Sequence, residues 1–477
     1  TKWHADGFLD IADMLDPVHN ASYAAGFLLD LHAAHESWDE AVKHYRQAVK
    51  IKSDYPEAYS NLGIVLVEMG DLKGAIDSFQ AALHVRPDFA EAYCGLGGAL
   101  HDLGDLDGAI NNYQQALKTN TYYLEALINM ASVLMDMGDF KKAICSYKQA
   151  LKIKPDCAEA CYGLGLAFKT RGDLESAINS YNQAIKIKPD YAEAFYHLGN
   201  SLQQKGDLDD AIVSYRHAVK IKPDYAVTYF NIGVVLMKKG KLDEAIEAYN
   251  KALRLKPDYP EAYNNIGSIR QDQGNLDKAI EVYNKAITLN PNYAEAYSNL
   301  GVALMDQGEL ITAIEACKRA ITLKPNYAEV YNNIGVILHK QSELEKALEY
   351  YNKALSLKPD YPEVYNNIGD VLKDNGELEN AIESFKKALL IKPYYPQAFV
   401  NIGNALKEQG KWEAATKAYI KAIKLKPDYA EAYNNIGNTL KYQGKIEDAI
   451  EAYNRALSIK PDYADAYNNL GFVLIDK

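Results

Sequence analysis

The chain repeats itself every 34 residues, and this period constrains the fold more than any other feature of the sequence. A small residue, glycine except for Ala131, recurs at this spacing from Gly63 to Gly471. An alanine follows twelve residues later in each complete unit, from Ala75 to Ala449, and a second alanine comes seven residues after that. A chain of this kind is predicted to stack similar units rather than to form separate globular domains.

Residues 260–293 illustrate what one unit encodes. Its apolar residues follow the i, i+3, i+4, i+7 spacing of two amphipathic helices. Gly267 and Ala279 have little or no side chain, so we expect the two helices to cross closely there. Between the helices, Gly274 can adopt φ > 0 and Asn275 can cap the second helix.

The entry to the first helix also carries a recurring signal. The sequence Asp-Tyr-Ala-Glu, as at Asp190 to Glu193, predicts an acidic N-cap followed by a glutamate three residues later.

This spacing of small, aromatic and proline residues resembles the tetratricopeptide-repeat family from residue 56 to the end. The resemblance implies an all-α fold, a right-handed α-solenoid superhelix of 34-residue helix-turn-helix repeats. Twelve repeats then occupy 56–463, and 464–477 is the first helix of an incomplete one. Residues 1–55 are predicted to be an N-terminal capping or degenerate helical region, in which Tyr45 falls at the aromatic position. This region is also a candidate junction to an upstream domain.

Charge and composition limit the classes of partner that the chain is expected to bind. The net charge is −12, which disfavours nucleic acid, and no apolar run is long enough for a membrane span. Five cysteines without framework spacing indicate reduced thiols, and we expect a cytoplasmic location. Cys157 and Cys161 lie four residues apart, but no second pair of ligands accompanies them, so packing is favoured over zinc. No cofactor or metal is predicted.

No catalytic constellation is visible in the sequence. His32, His35 and Glu36 have the wrong order and spacing for a zinc peptidase, so solvated helix-surface histidines are the favoured interpretation. The acidic pairs recur with the repeat and indicate helix caps and solvated faces rather than an acid–base pair. The chain is therefore predicted not to be an enzyme.

A series of asparagines remains after this screening. It lies two residues before the repeat glycine, and its earlier members are Asn61 and Asn129. From the sixth unit onward the series is unbroken, and we call these eight residues the asparagine ladder: Asn231, Asn265, Asn299, Asn333, Asn367, Asn401, Asn435 and Asn469. Asparagine is a poor helix former, but its amide can donate to and accept from a peptide backbone together.

The ladder resembles the repeat domain of O-linked N-acetylglucosamine transferases, whose concave asparagines grip a peptide backbone. The resemblance implies that a protein or peptide segment binds along the concave groove through Asn231 to Asn469. Gly95, Gly163 and His197 break the match in the N-terminal third. The alternative is structural: these amides solvate the helix face or bond across to the next helix.

Two further rows are predicted to line the groove and to select the partner. One row passes from uncharged to basic along the chain: Met237, Gln271, Met305, His339, Lys373, Lys407 and Lys441. The other is acidic and is also expected to cap helices: Glu261, Glu295, Glu329, Glu363 and Glu431. Together they favour a partner segment of mixed charge.

The two ends leave alternatives open. Asn20 and Tyr45, in the stretch from Asp16 onward, resemble the closing helices of a lytic transglycosylase domain, which would imply a repeat array fused behind a cell-wall enzyme and a periplasmic location. At the other end, Leu470, Val473 and Leu474 leave an apolar helix face, which predicts either further chain or a homodimer. Three functions are thus compatible with the sequence. The chain is a free-standing scaffold, the recruiting arm of a glycosyltransferase or sulfotransferase, or a repeat array fused behind a lytic transglycosylase.

Overall fold

The computed structural model describes residues 37–475, which form helices and turns with no strand. Residues 37–51 are helix α1, and two series of helices then alternate along the chain. The first helices of the repeats are α2 (Pro56–Glu68), α4 (Ala90–Asp102), α6 (Leu124–Asp136), α8 (Ala158–Thr170), α10 (Ala192–Lys205), α12 (Ala226–Lys238), α14 (Pro260–Asp272), α16 (Ala294–Gln307), α18 (Ala328–Lys340), α20 (Pro362–Asp374), α22 (Pro396–Glu408), α24 (Ala430–Tyr442) and α26 (Ala464–Ile475). The second helices are α3 (Leu72–Val85), α5 (Leu106–Thr119), α7 (Phe140–Ile153), α9 (Leu174–Ile187), α11 (Leu208–Ile221), α13 (Leu242–Leu255), α15 (Leu276–Leu289), α17 (Leu310–Leu323), α19 (Leu344–Leu357), α21 (Leu378–Ile391), α23 (Trp412–Leu425) and α25 (Ile446–Ile459). The predicted all-α helix-turn-helix repeat is confirmed.

The chain divides into two compact units, Thr1–Lys241 and Leu242–Lys477. The described part of the first unit contains α1 to α12, and that of the second contains α13 to α26. Within each unit the helices of one pair pack on each other, and each second helix packs on the next first helix. Stability in such an array comes mainly from these neighbour contacts.

The turn inside each repeat has the conformation that the sequence predicts. Gly274 has φ 74°, a left-handed value that a side chain would disfavour. The Asn275 side chain then accepts a hydrogen bond from the backbone N–H of Lys278 at 3.4 Å, which caps α15.

The prediction for the entry to the first helix is wrong. Helix α16 has Tyr293 at its N-cap, and none of the first helices with a described N-cap has a side-chain cap hydrogen bond. The glutamate that follows forms an ion pair instead: Glu295 lies 3.1 Å from Lys324, at the end of the second helix of its own repeat. Lys324 also lies 4.4 Å from the ring centroid of Tyr327, the N-cap of the next repeat. Three members of the acidic row, Glu295, Glu329 and Glu363, form this ion pair, which ties the end of a repeat to its beginning.

The core of a repeat forms around an aromatic ring on the second helix. Tyr283 is 1% exposed and lies against Gly267 so closely that a Cβ at Gly267 would be 2.5 Å from the ring. Ala279 and Ala286 are fully buried beside it. The glycine thus makes room for a ring of the partner helix, rather than only for a close approach of two backbones.

The N-terminal region is described only from residue 37. In α1, Val42 is 5% exposed and packs in one cluster with Leu62 and Leu66 of α2, and Tyr45 packs against this cluster. Helix α1 therefore covers the first complete repeat. Asn20, and with it most of the segment that resembles a lytic transglycosylase, lies outside the described residues.

The repeat at 124–157 is predicted to open first. It has Ala131 in place of glycine and Leu127 in place of the aromatic residue, and its ring residue Tyr147 is 5% exposed, whereas Tyr283 is 1% exposed. Less complete packing lowers the free energy of local opening. Native-state hydrogen exchange should show faster exchange in α6 and α7 than in 260–327, and equal protection of the two segments would contradict this prediction.

Candidate peptide-binding face

The first helices form a continuous surface within each unit, which we call the inner face. Consecutive first helices contact each other directly from α2 to α10 in the first unit and from α14 to α26 in the second. In a solenoid, the layer whose helices approach most closely lies on the concave side, which is the usual binding surface of such arrays. The asparagine ladder lies on these helices.

The ladder residues differ in how much solvent they reach. Six are half-buried: Asn231, Asn265, Asn299, Asn333, Asn367 and Asn469. Asn401 and Asn435 are buried, with 6% and 9% exposure. The inner face thus presents these amides to solvent only in part.

Several ladder amides are held by the preceding repeat. The amide nitrogens of four of them donate to an asparagine that lies 35 residues earlier, on the first helix of the preceding repeat. These pairs are Asn299 to Asn264 (3.0 Å), Asn367 to Asn332 (2.9 Å), Asn401 to Asn366 (3.1 Å) and Asn469 to Asn434 (3.0 Å). A bond across to the next helix is one of the two interpretations that the sequence leaves open, and the partner row is the first asparagine of the repeated Asn-Asn dipeptide, a signal that is visible in the sequence.

A second arrangement occurs once in each unit and connects the ladder to the core. In the first unit, Asn231 donates to Asn200 at 3.0 Å, and the hydroxyl of buried Tyr215 donates to the same oxygen at 2.7 Å. In the second unit, Asn435 and the hydroxyl of Tyr419 donate in the same way to Asn404, at 3.2 and 2.8 Å. Asn265 donates directly to the hydroxyl of Tyr249 at 3.2 Å.

Hydrogen-bonding capacity remains on the ladder after these contacts. The side-chain oxygens of Asn299, Asn367 and Asn469 accept no hydrogen bond from residues 37–475, and each amide has a second N–H. Asn333 makes no side-chain hydrogen bond to any described residue. The contact to the preceding repeat fixes the orientation of an amide whose oxygen is still available to a ligand.

One carboxylate interrupts the amides of the second unit. Asp370 lies one residue after the repeat glycine, where other repeats have Asn200, Asn404 or Asn438. It accepts hydrogen bonds from Asn366 and Asn401, each at 3.2 Å. Burial raises the pKa of Asp370 to about 6, against the smaller opposing effects of Lys373 and His339.

Two members of the row that passes from uncharged to basic form polar contacts with the next repeat. Gln271 donates to Asp306 at 3.0 Å, and His339 lies 2.9 Å from Asp374. In the first unit His101 lies 2.7 Å from Asp136, which is the equivalent pair. Gln271 and His339 of this row therefore also form contacts between neighbouring repeats.

The cysteines that were considered as metal ligands are buried. Cys157 and Cys161 are 5% and 2% exposed, and burial raises the pKa of both thiols. Cys161 packs with Ala184 and Ala194. Within residues 37–475, no three histidine, cysteine, aspartate or glutamate side chains come together as metal ligands would.

Among the described helices, none combines the length and apolar character that a membrane crossing needs.

Comparison with protein families identifies the repeat. The model of the cilia and flagella-associated protein 70 C-terminal domain matches residues 164–360 and, in an overlapping placement, 229–435. A TPR repeat model matches 30–70 and 437–477, and a tetratricopeptide repeat model matches 60–122 and 128–192. The chain belongs to the tetratricopeptide-repeat (TPR) family. TPR arrays serve as scaffolds for protein–protein interaction, and their extended faces are built for that role.

Three solved structures contain a chain to which this one is similar. The chain is similar to one in the crystal structure of the APC/C hetero-tetramer Cut9-Hcn1, at 17% identity and a TM-score of 0.47 over 93% of this chain and 94% of that chain. It is similar to MamA at 33% identity and a TM-score of 0.33, over 35% of this chain and 92% of that chain. YrrB, a TPR protein with an unusual peptide-binding site, matches at 22% identity and a TM-score of 0.35, over 39% and 96% of the two chains. A search of the curated proteins found no match.

Proposed function

We propose that this TPR array is a non-catalytic scaffold that binds an extended polypeptide along its inner face through the asparagine ladder. The observation that carries the proposal is the orientation of the amides. Asn299, Asn367 and Asn469 are each held by an asparagine of the preceding repeat, and each keeps an unused side-chain oxygen. Amides that are already ordered lose less conformational entropy when they bind a ligand.

The regular spacing supports a backbone ligand rather than a small molecule. The ladder offers one amide per repeat, and an extended chain offers N–H and C=O groups all along its length. An amide can accept from an N–H and donate to a C=O of the same chain, whatever side chains that chain carries. The proposed contact is therefore tolerant of sequence.

Asn333 and Asn401 allow binding to be separated from folding. Asn333→Ala is expected to weaken the binding of a pool of fluorescein-labelled random peptides about fivefold, the effect of one lost hydrogen bond of about 1 kcal/mol. Its urea unfolding should match that of the wild type, because Asn333 makes no side-chain hydrogen bond within residues 37–475. Fluorescence anisotropy measures the first quantity and circular dichroism the second.

Asn401→Ala is the structural control for that experiment. Asn401 is buried and bonded to Asn366, Asp370 and Gln397, so its loss should reduce stability. If Asn333→Ala binds the peptide pool as tightly as the wild type, the ladder holds repeats together and does not hold a peptide.

The wider alternatives stay predictions. A recruiting arm of a glycosyltransferase or sulfotransferase would use the ladder in the same way. Homodimerisation is proposed through α26. Of the three residues predicted for its apolar face, Leu474 is 54% exposed, whereas Val473 is buried and Leu470 packs against the same core cluster. Phe472 and Ile475 are also exposed, at 54% and 82%. A sedimentation coefficient that increases with protein concentration is the expected sign of that dimer.

A reducing compartment such as the cytoplasm is proposed from the cysteines. All five are free thiols, and four of them are buried. Structural disulfides are rare in such compartments.

A further inference from the structure

An aromatic segment occupies the inner face of the first unit, where the ladder is interrupted. Three residues before the repeat glycine, the second unit has mostly Asn or Ser, whereas α8, α10 and α12 carry Tyr162, Tyr196 and Phe230. The ring centroid of Tyr162 lies 5.0 Å from that of Tyr191 and 5.6 Å from that of His197. All three residues of this row are half-buried, so their rings contribute to the surface.

His197 stands at the ladder position of this segment. It lies between aromatic residues, with its ring 5.0 Å from Tyr196 and 6.1 Å from Tyr181. Burial lowers the pKa of His197 to about 4, and Lys169 adds to the effect, so the imidazole is neutral near pH 7. The Nδ1 of His197 and the buried hydroxyl of Tyr181 have no hydrogen-bond partner among the described residues. Because a histidine replaces the ladder asparagine, this position has no side-chain amide that could bind a peptide backbone.

Lys169 is a half-buried cation on the same face. It lies two helical turns after Tyr162 on α8, so the two side chains project from one side of the helix. Burial alone lowers its pKa, and no carboxylate among residues 37–475 forms an ion pair with it. The ammonium group thus lacks a counter-charge.

At the equivalent position of two other repeats, the side chain pairs with an aspartate of the next repeat, whereas Lys169 does not. His101 pairs with Asp136 of the next repeat, and His339 pairs with Asp374 in the same way. The residue that corresponds to these aspartates beside Lys169 is Gln204, which has no charge to offer. A partly desolvated cation on the same helix face as an aromatic ring is complementary to a carboxylate that arrives with an apolar side chain.

We propose that Lys169, with the rings of Tyr162 and Tyr196, binds an acidic residue and a neighbouring aromatic side chain of the held polypeptide. This pocket would set specificity, whereas the ladder would hold the backbone of any sequence. The inference rests on the proposed function, since it concerns the same ligand. A single carboxylate fits better than a phosphate, because the proposed site uses one cation, Lys169, and a doubly charged group is normally bound by several.

The test uses four labelled peptides of about 15 residues, which span about 50 Å when extended. All have a Gly-Ser-Ala background, and their central pairs are Glu-Phe, Gln-Phe, Glu-Ala and Lys-Phe. Anisotropy with the full chain should show the Glu-Phe peptide binding about tenfold tighter than the Gln-Phe peptide, since both partners of the ion pair are partly desolvated. Lys169→Gln should remove this difference.

Lys186→Gln is the matched control, because Lys186 is an exposed lysine on α9, the second helix of the same repeat, and does not lie on the inner face. It should leave the preference for Glu-Phe unchanged. Equal affinity for Glu-Phe and Gln-Phe in the wild type, or a preference that persists in Lys169→Gln, overturns the pocket. If all four peptides bind equally and Asn333→Ala weakens them all, the pocket fails and the proposed function stands. If none binds, both fail.

Discussion

Gly267→Ala is expected to lower the free energy of unfolding by about 1–3 kcal/mol, although alanine is the better helix former. The added methyl group would lie 2.5 Å from the ring of Tyr283, and that ring is 1% exposed and enclosed by Ala279 and Ala286. The ring cannot rotate away, so α14 and α15 must move apart. Urea unfolding followed by circular dichroism measures the loss.

Gly471→Ala provides the matched control at the same position of the repeat. A Cβ at Gly471 meets no atom within 4 Å of the described structure. This variant should be neutral or more stable by up to about 1 kcal/mol, the intrinsic preference of a helix for alanine over glycine. Equal losses in the two variants would show that the penalty arises from the helix backbone and not from the contact with Tyr283.

Asp370→Asn is expected to raise the free energy of unfolding by about 2–3 kcal/mol at pH 7. Burial raises the pKa of Asp370 from 3.8 to about 6, so the folded state binds a proton more readily than the unfolded chain. The charged form therefore destabilises the fold above pH 6, and this penalty disappears as the pH falls from 6 towards 4. Asparagine already occupies the equivalent position at Asn200 and Asn404, where it accepts from the ladder amide.

The pH dependence distinguishes this effect from a change in packing. The stability difference between Asp370→Asn and the wild type should be largest above pH 7 and close to zero at pH 4. Asp374→Asn is the control, because the pKa of Asp374 is lowered through its hydrogen bonds to His339 and Lys373, although burial opposes them. It should be slightly destabilising at pH 7. A stability gain in Asp370→Asn that is the same at pH 4 and pH 7 would contradict the explanation.

Much of the fold follows from signals within one repeat. The glycine turn at Gly274 and the cap at Asn275 were predicted correctly, since both depend on residues that are adjacent in the chain. The prediction that Asp190 is the N-cap of α10 is wrong. The structure places Tyr191 at the N-cap, and Glu193 lies 3.8 Å from Lys222, an ion pair across 29 residues that a local motif does not contain.

The candidate site likewise has features that are visible in the sequence and features that depend on contacts between repeats. The positions of the ladder are visible in the 34-residue period, and so is the interruption at His197. The burial of Asn401 and the isolation of Lys169 are not visible, because both depend on the side chains that the neighbouring repeat brings to the inner face.

The sequence by itself thus determined the period, the helix pairs and the row on which the asparagines lie. These properties depend on the periodicity of apolar and small residues along one chain segment. Only the tertiary structure decided what each amide contacts: Asn299 and Asn367 bond to the preceding repeat, and Asn333 does not. Contacts between residues 35 apart depend on how two helices pack, and a change of rotamer is enough to exchange one partner for another.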